Sequence, residues 1–304
     1  MHSNSAARLH TTAEIESQPS CWRRAIALAT APEVVAALPA PGERVAVVGC
    51  GTSWFMAQAY ARLREDAGLG ETDAFAASEF PFGRAYDRVV ALTRSGTTTE
   101  VIDVLRRLPD VPTTVVVGTP GTPATELADH VVALEFADER SVVQTRFATT
   151  ALVLFRAHLG ERLDRAVLDA EQALVEAVEP DLVARNQFTF LGGAPWTTGL
   201  AAEAALKMRE ASLSWTESYP AAEYRHGPIA ITDEGSLVWA FGTPPEGLGD
   251  EVAAVGGRWV ARDRDPLAEL VAVHRLAVEV ALLRGLDPDT PRNLTRSVIL
   301  NGTP

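Results

Sequence analysis

RVAVVGCGTSWFMAQAYARLRE, running from Arg44 to Glu65, is the stretch whose reading decides the fold. Arg44–Val48 is short, apolar and rich in β-branched residues, which reads as a buried strand, and Gly49-Cys50-Gly51 turns it into a helix of about Ser53–Glu65. RVVALTRSGTTTEVIDVLRRL, from Arg88 to Leu108, repeats the arrangement, with a strand over Arg88–Thr93 and a helix over Thr98–Leu108. Thr113–Val117 and Val131–Leu134 read as further strands and Gln144–Leu159 as a helix. Continuous apolar strands alternating with helices specify a parallel sheet covered on both faces. The pattern then restarts, with a strand at Phe188–Leu191, a helix at Leu200–Ala211, strands at Leu237–Phe241 and Arg258–Ala261, and a helix at Leu267–Leu283. Phe190-Leu191-Gly192-Gly193 echoes Val47-Val48-Gly49-Cys50-Gly51. The fold class expected is therefore α/β, a doubly wound unit present twice, each sheet flanked by helices in three αβα layers. The division expected is a docking leader over 1–22, a first unit over 23–160 and a second over 161–304, joined by the acidic helical stretch Glu161–Asp181.

Length supports two units, since 304 residues exceed one comfortable core. Net charge is −13, so no overall positive field attracts phosphodiester backbones, and nucleic acid is excluded as an expected partner. The opening residues lack the basic and apolar regions of a signal peptide, and no apolar run approaches a membrane span. Two cysteines are too few for a disulfide framework or a cysteine zinc site. A cytoplasmic protein with neither metal nor other cofactor is the expectation. Against 26 arginines stands a single lysine, Lys207. Arginine holds its proton in proteins, whereas a lysine amine can release it, so the exception points to chemistry.

Four motifs carry the functional argument. Cys50, Gly51, Thr52 and Ser53 sit between a strand and a helix start, where backbone N–H groups and the helix dipole suit either an anion or an ordinary turn. A third glycine for dinucleotides is absent at Trp54, and so is the Gly-Lys-Ser/Thr ending of a nucleotide loop. In the second loop Thr93, Ser95, Thr97, Thr98 and Thr99 place five hydroxyls around Gly96 beside Arg94. Capping explains one or two of these; a phosphate monoester, with three oxygens to satisfy, explains the rest. Glu203, Lys207 and Glu210, spaced by four and three, share one helical face amid alanine and leucine. They form either a surface ion ladder or carboxylates with raised pKa fit for proton transfer. His226 lies in the turn Glu223-Tyr224-Arg225-His226-Gly227-Pro228, where it could exchange protons near neutral pH.

These motifs, followed by Asp287-Pro288-Asp289-Thr290-Pro291-Arg292-Asn293-Leu294, resemble in the same order those of the double sugar isomerase (SIS) family. The likeness runs from about Glu14 to Leu300 and is closest to the isomerase half of glutamine:fructose-6-phosphate aminotransferase and to amino-sugar phosphate deaminases. The resemblance implies two flavodoxin-like sheets. It also implies a phosphosugar held by Ser53, Thr93, Ser95 and Thr98, with backbone groups of Cys50–Thr52 and Val142. Glu210 would shuttle a proton between C1 and C2 of the open-chain sugar, Lys207 would stabilise the enediol-like intermediate, and His226 would reach in from the partner subunit of a homodimer to assist ring opening. Three positions depart from the family pattern: Arg296 replaces a lysine able to form an imine with a keto sugar, and Gln144 and Arg146 replace a serine and a lysine. A glutaminase domain and its amino-terminal cysteine are not expected. Isomerisation or deamination of a hexose or hexosamine 6-phosphate is thus the expected activity, ahead of a non-catalytic phosphosugar sensor or a deglycase of a sugar-amine phosphate.

Overall fold

The structure is a computed structural model that describes residues 9–300. The first eight residues of the expected leader lie outside that range. From His10 the chain is helical: α1 (His10–Glu16), α2 (Gln18–Leu28) and α3 (Pro32–Ala37) precede the first strand. The docking expected around Trp22 is accordingly deep, with Trp22 wholly buried and its indole N–H donating to Thr149 Oγ1 at 3.0 Å.

The first unit then runs β1 (Val45–Gly49), α4 (Thr52–Asp66), β2 (Thr72–Ala76), β3 (Arg88–Thr93), α5 (Thr99–Arg106), β4 (Thr113–Val117), α6 (Pro123–Leu127), β5 (His130–Ala133) and α7 (Arg146–His158). Two helices, α8 (Asp164–Val175) and α9 (Pro180–Val183), cross to the second unit. That unit comprises β6 (Gln187–Gly192), α10 (Thr197–Ser212), β7 (Thr216–Pro220), β8 (Ser236–Phe241), α11 (Leu248–Ala254), β9 (Arg258–Ala261) and α12 (Pro266–Leu283). Both sheets are wholly parallel, in the orders β2-β1-β3-β4-β5 and β7-β6-β8-β9. The second order equals the first without its last strand, so the unit occurs twice, as the two glycine turns implied.

The apolar strands divide their side chains between two faces as the pleat requires. Val45, Val47, Val90 and Leu92 enter a core shared with α2, α4 and α7, while Ala46, Val48, Val89 and Ala91 face α5 and α6. In the second sheet Phe190, Leu237, Trp239 and Phe241 join that same shared core, while Leu191, Val238 and Ala240 face α11. One continuous core therefore lies between the sheets and fuses the units. No helix among the described residues is long and apolar enough to cross a membrane.

Two strands went unread in the sequence. TDAFA in β2 and TESYP in β7 are edge strands whose residues are mostly half-exposed, so neither carries the apolar run that marks the central strands. The acidic stretch after Glu161 packs as more than a joint, because Ala166, Val167, Ala170 and Ala173 of α8 enter the shared core.

Candidate active site

In each parallel sheet the first strand lies beside the reversal of strand order, where ligands of doubly wound sheets sit. In the first sheet that point is between β1 and β3. Gly49 ends β1 so close to α4 that an added Cβ would lie 2.7 Å from the carbonyl carbon of Ser53, and Gly51 has φ +53°. Only glycine permits this approach. The turn buries Thr52 and Ser53 at the amino end of α4. Beyond β3, Gly96 has φ +66°, and an added Cβ would collide with Thr122 Oγ1 at 1.9 Å. The loop hydroxyls bond one another: Thr97 N and Thr97 Oγ1 both donate to Ser95 Oγ, at 3.2 and 3.1 Å, and Thr93 Oγ1 accepts from Gly96 N at 3.3 Å.

The segment after α12 lies across this loop. Ser297 Oγ lies within hydrogen-bond distance of Ser95 Oγ at 3.2 Å and of Thr97 Oγ1 at 2.9 Å, Thr99 N donates to the Val298 carbonyl at 3.2 Å, and Leu300 N donates to Thr99 Oγ1 at 2.9 Å. Arg94 ties the pieces together. Its guanidinium, 2% exposed, donates to the carbonyls of Ser141 at 3.0 Å, Val142 at 3.2 Å and Arg296 at 2.9 Å. Arg296 bonds Asp138 Oδ1 at 2.6 Å, Thr119 Oγ1 at 3.2 Å and the Glu139 carbonyl. Glu14 of α1 accepts from Arg140 N at 2.6 Å and from the Ser141 hydroxyl, fixing the 139–142 segment from the other side.

Between these pieces lies a cavity of about 170 Å³. Of the residues singled out in the sequence, Cys50, Gly51, Thr52, Arg94, Thr98, Val142, Glu210 and Arg296 line it. Ser53, Thr93 and Ser95 lie close by without lining it, all three buried and Ser95 bonded to Ser297. His226 stands apart, exposed at the end of a 3₁₀ turn, Ala221–His226. Thr295, Ser297 and Val298 are lining residues that sequence reasoning missed; their only signal is proximity to Arg296.

Below the cavity runs the α10 ladder. Lys207 Nζ donates to Glu210 Oε2 and lies 3.5 Å from Glu203 Oε1. The side chains of Glu203 and Lys207 are 1% exposed and that of Glu210 is 19% exposed, so Glu210 alone meets the cavity. An interior ladder of this kind is not a surface ion pair, and its electrostatics differ accordingly. Burial pushes Glu203 up to about 8, against the pull of Lys207 and with the push of Glu210. Burial works against the charge of Lys207, but the two carboxylates outweigh it and hold the ammonium above its ordinary value. Glu210 is thus the ladder member that meets the cavity, with the Lys207 ammonium bonded to it. A carboxyl group so placed can exchange a proton with a carbon acid in the cavity. No group of three or more His, Cys, Asp or Glu side chains among the described residues could hold a metal ion.

No family model matches the chain. It is 30% identical to a glutamine–fructose-6-phosphate aminotransferase (isomerizing) of Methanothermobacter thermautotrophicus, over 94% of this chain and 56% of that protein. The chain thus spans little more than half the length of the curated relatives it matches. Among solved structures it resembles a glucosamine-6-phosphate deaminase from Thermotoga maritima at 25% identity, TM-score 0.80, over 96% of this chain and 100% of that one. It also shares the fold of a tagatose-6-phosphate ketose/aldose isomerase from Escherichia coli, at 18% identity and TM-score 0.76, over 97% and 99% of the two chains.

Proposed function

We propose that the chain, which resembles the double sugar isomerase family, binds a hexose or hexosamine 6-phosphate and moves a proton between C1 and C2 of the open-chain sugar. The observation that carries the reading is the meeting, in one cavity, of Glu210 with Thr98 and Thr52 from the amino ends of two helices. A phosphate would be held at the hydroxyl-rich loop once Ser297 yields its bonds to Ser95 and Thr97. Three monoester oxygens need several such donors.

Glu210 is the base in this reading, and the buried Lys207 ammonium bonded to it holds that carboxylate at the cavity and offsets its charge. Release of ammonia follows on a 2-amino sugar: proton transfer from C2 to C1 yields the C2 imine, and water then displaces nitrogen to leave the ketose. Arg296 supports isomerisation or deamination over amination, because a guanidinium cannot form an imine with a ketose. The match over the full length of the Thermotoga maritima deaminase supports the same choice. His226, exposed and away from this cavity, is assigned to ring opening in the site of a second copy.

Incubation of the protein with glucosamine 6-phosphate, followed by assays of ammonia and fructose 6-phosphate, tests the reading. Equal amounts of both products are expected. Binding by calorimetry with neither product formed would favour a sensor instead.

A further inference from the structure

Gln144 lines the cavity, and its side-chain oxygen is buried without a hydrogen-bond partner. Its neighbours are pinned. Thr145 N and Arg146 N donate to Glu139 Oε1 at 2.6 and 2.9 Å, and the Arg146 guanidinium is fixed on Ser17 Oγ at 3.0 Å and on the Asp138 carbonyl. Four other polar side chains at the cavity are already engaged: Arg94 with carbonyls, Arg296 with Asp138, Glu210 with Lys207 and Ser297 with the loop hydroxyls. A buried acceptor left empty is costly, and a well-formed site tolerates one when a ligand completes it.

We propose that the Gln144 amide is the contact that reads the carbon skeleton of the substrate, and that it sets which sugar phosphate the cavity accepts. Resting on the phosphosugar reading above, this assigns recognition to two places. The hydroxyl loop takes the phosphate, which every candidate substrate shares. Gln144 takes neighbouring substituents on the chain, its oxygen accepting from a hydroxyl or ammonium group and its nitrogen donating to an adjacent oxygen. The substrate class that fits carries such a donor and acceptor on adjacent carbons, as open-chain polyhydroxy and amino-polyhydroxy phosphates do. A site built on such a bond rejects analogues that lack the partner group.

Calorimetric titration of wild type, Gln144→Leu and Gln144→Ser with glucosamine 6-phosphate, fructose 6-phosphate, a monodeoxy hexose 6-phosphate series and inorganic phosphate tests the assignment. Gln144→Leu is expected to weaken at least one of the two sugar phosphates by about tenfold or more and to leave inorganic phosphate within about twofold. A deoxy analogue that lacks one of the two contacted groups should lose less affinity to Gln144→Leu than the parent sugar phosphate does. Sugar phosphates bound equally by wild type and both variants would overturn the proposal. So would a loss shared equally by sugar phosphates and inorganic phosphate, which would mark a change of cavity shape. Failure of wild type to bind any sugar phosphate would instead overturn the reading of the site itself, and this inference with it. Thermal melts of both variants exclude loss of folding as the cause.

Discussion

Glu203 and His274 carry opposite consequences of burial. Glu203, raised by burial from 4.5 to about 8, prefers its proton in the folded state, so its contribution to stability is complete below pH 4.5 and is lost as pH rises through 8. His274 sits 3.3 Å from Gln18 Nε2 with Nε2 unpartnered. Burial, helped by the charge of Lys207, depresses it from 6.5 to about 3. Its contribution is complete above pH 6.5 and is lost as pH falls towards 3. Between about 4.5 and 6.5 the two slopes cancel. Urea titrations from pH 3 to 9 should therefore show Glu203→Gln selectively flattening the alkaline limb and His274→Gln the acid limb, each by a few kcal/mol at the extremes. Unchanged limbs in both variants would refute these assignments. The spacing of Glu203, Lys207 and Glu210 placed them on one helical face in the sequence. Which carboxylate meets the cavity was illegible, because alanines at 201, 202, 204 and 205 leave the helix without an apolar stripe to fix its rotation.

The element that brings the ladder to the loops is the crossing of α10 over α4. Gly199 makes it possible: an added Cβ would lie 2.4 Å from the Phe55 carbonyl oxygen and 3.1 Å from Ala59 N. Gly199→Ala should push the helices apart, cost about 1–3 kcal/mol of stability, and lower kcat/KM by about 100-fold through displacement of Glu210 from the phosphate loop. Steady-state kinetics beside a denaturation curve check this. Kinetics unaltered by the substitution would mean that the crossing does not position the base. The central strands that carry motifs were legible because each is apolar and leads into a glycine-containing turn, and their helices because they start from those turns. The edge strands β2 and β7 and the strap from Leu294 to Leu300 were not, since their order comes from partners distant in the chain, such as Ser95 and Thr99 for the strap.

At the scale of the whole molecule, the shared core between the sheets makes the duplicated units one structure. Ile15, Val47, Phe147, Phe190, Trp239 and Leu270 belong to the same buried cluster, and burial of that extent couples unfolding of the parts. Scanning calorimetry should show one transition whose calorimetric and van't Hoff enthalpies agree; two separated transitions would contradict a fused core. The duplication itself was visible in two glycine turns, but the fusion was not, because it depends on which face of each all-apolar strand turns inward. With a net charge of −13, the molecule gains nothing from long-range attraction of a phosphate, so local donors and the α10 ladder must perform recognition and chemistry. The most direct test of that central claim is deuterium wash-in. Fructose 6-phosphate held with the protein in D₂O and followed by proton NMR should gain deuterium at C1, and Glu210→Gln should bind the sugar yet exchange at least about 100-fold more slowly. No wash-in by wild type, or the same rate in the variant, would contradict it.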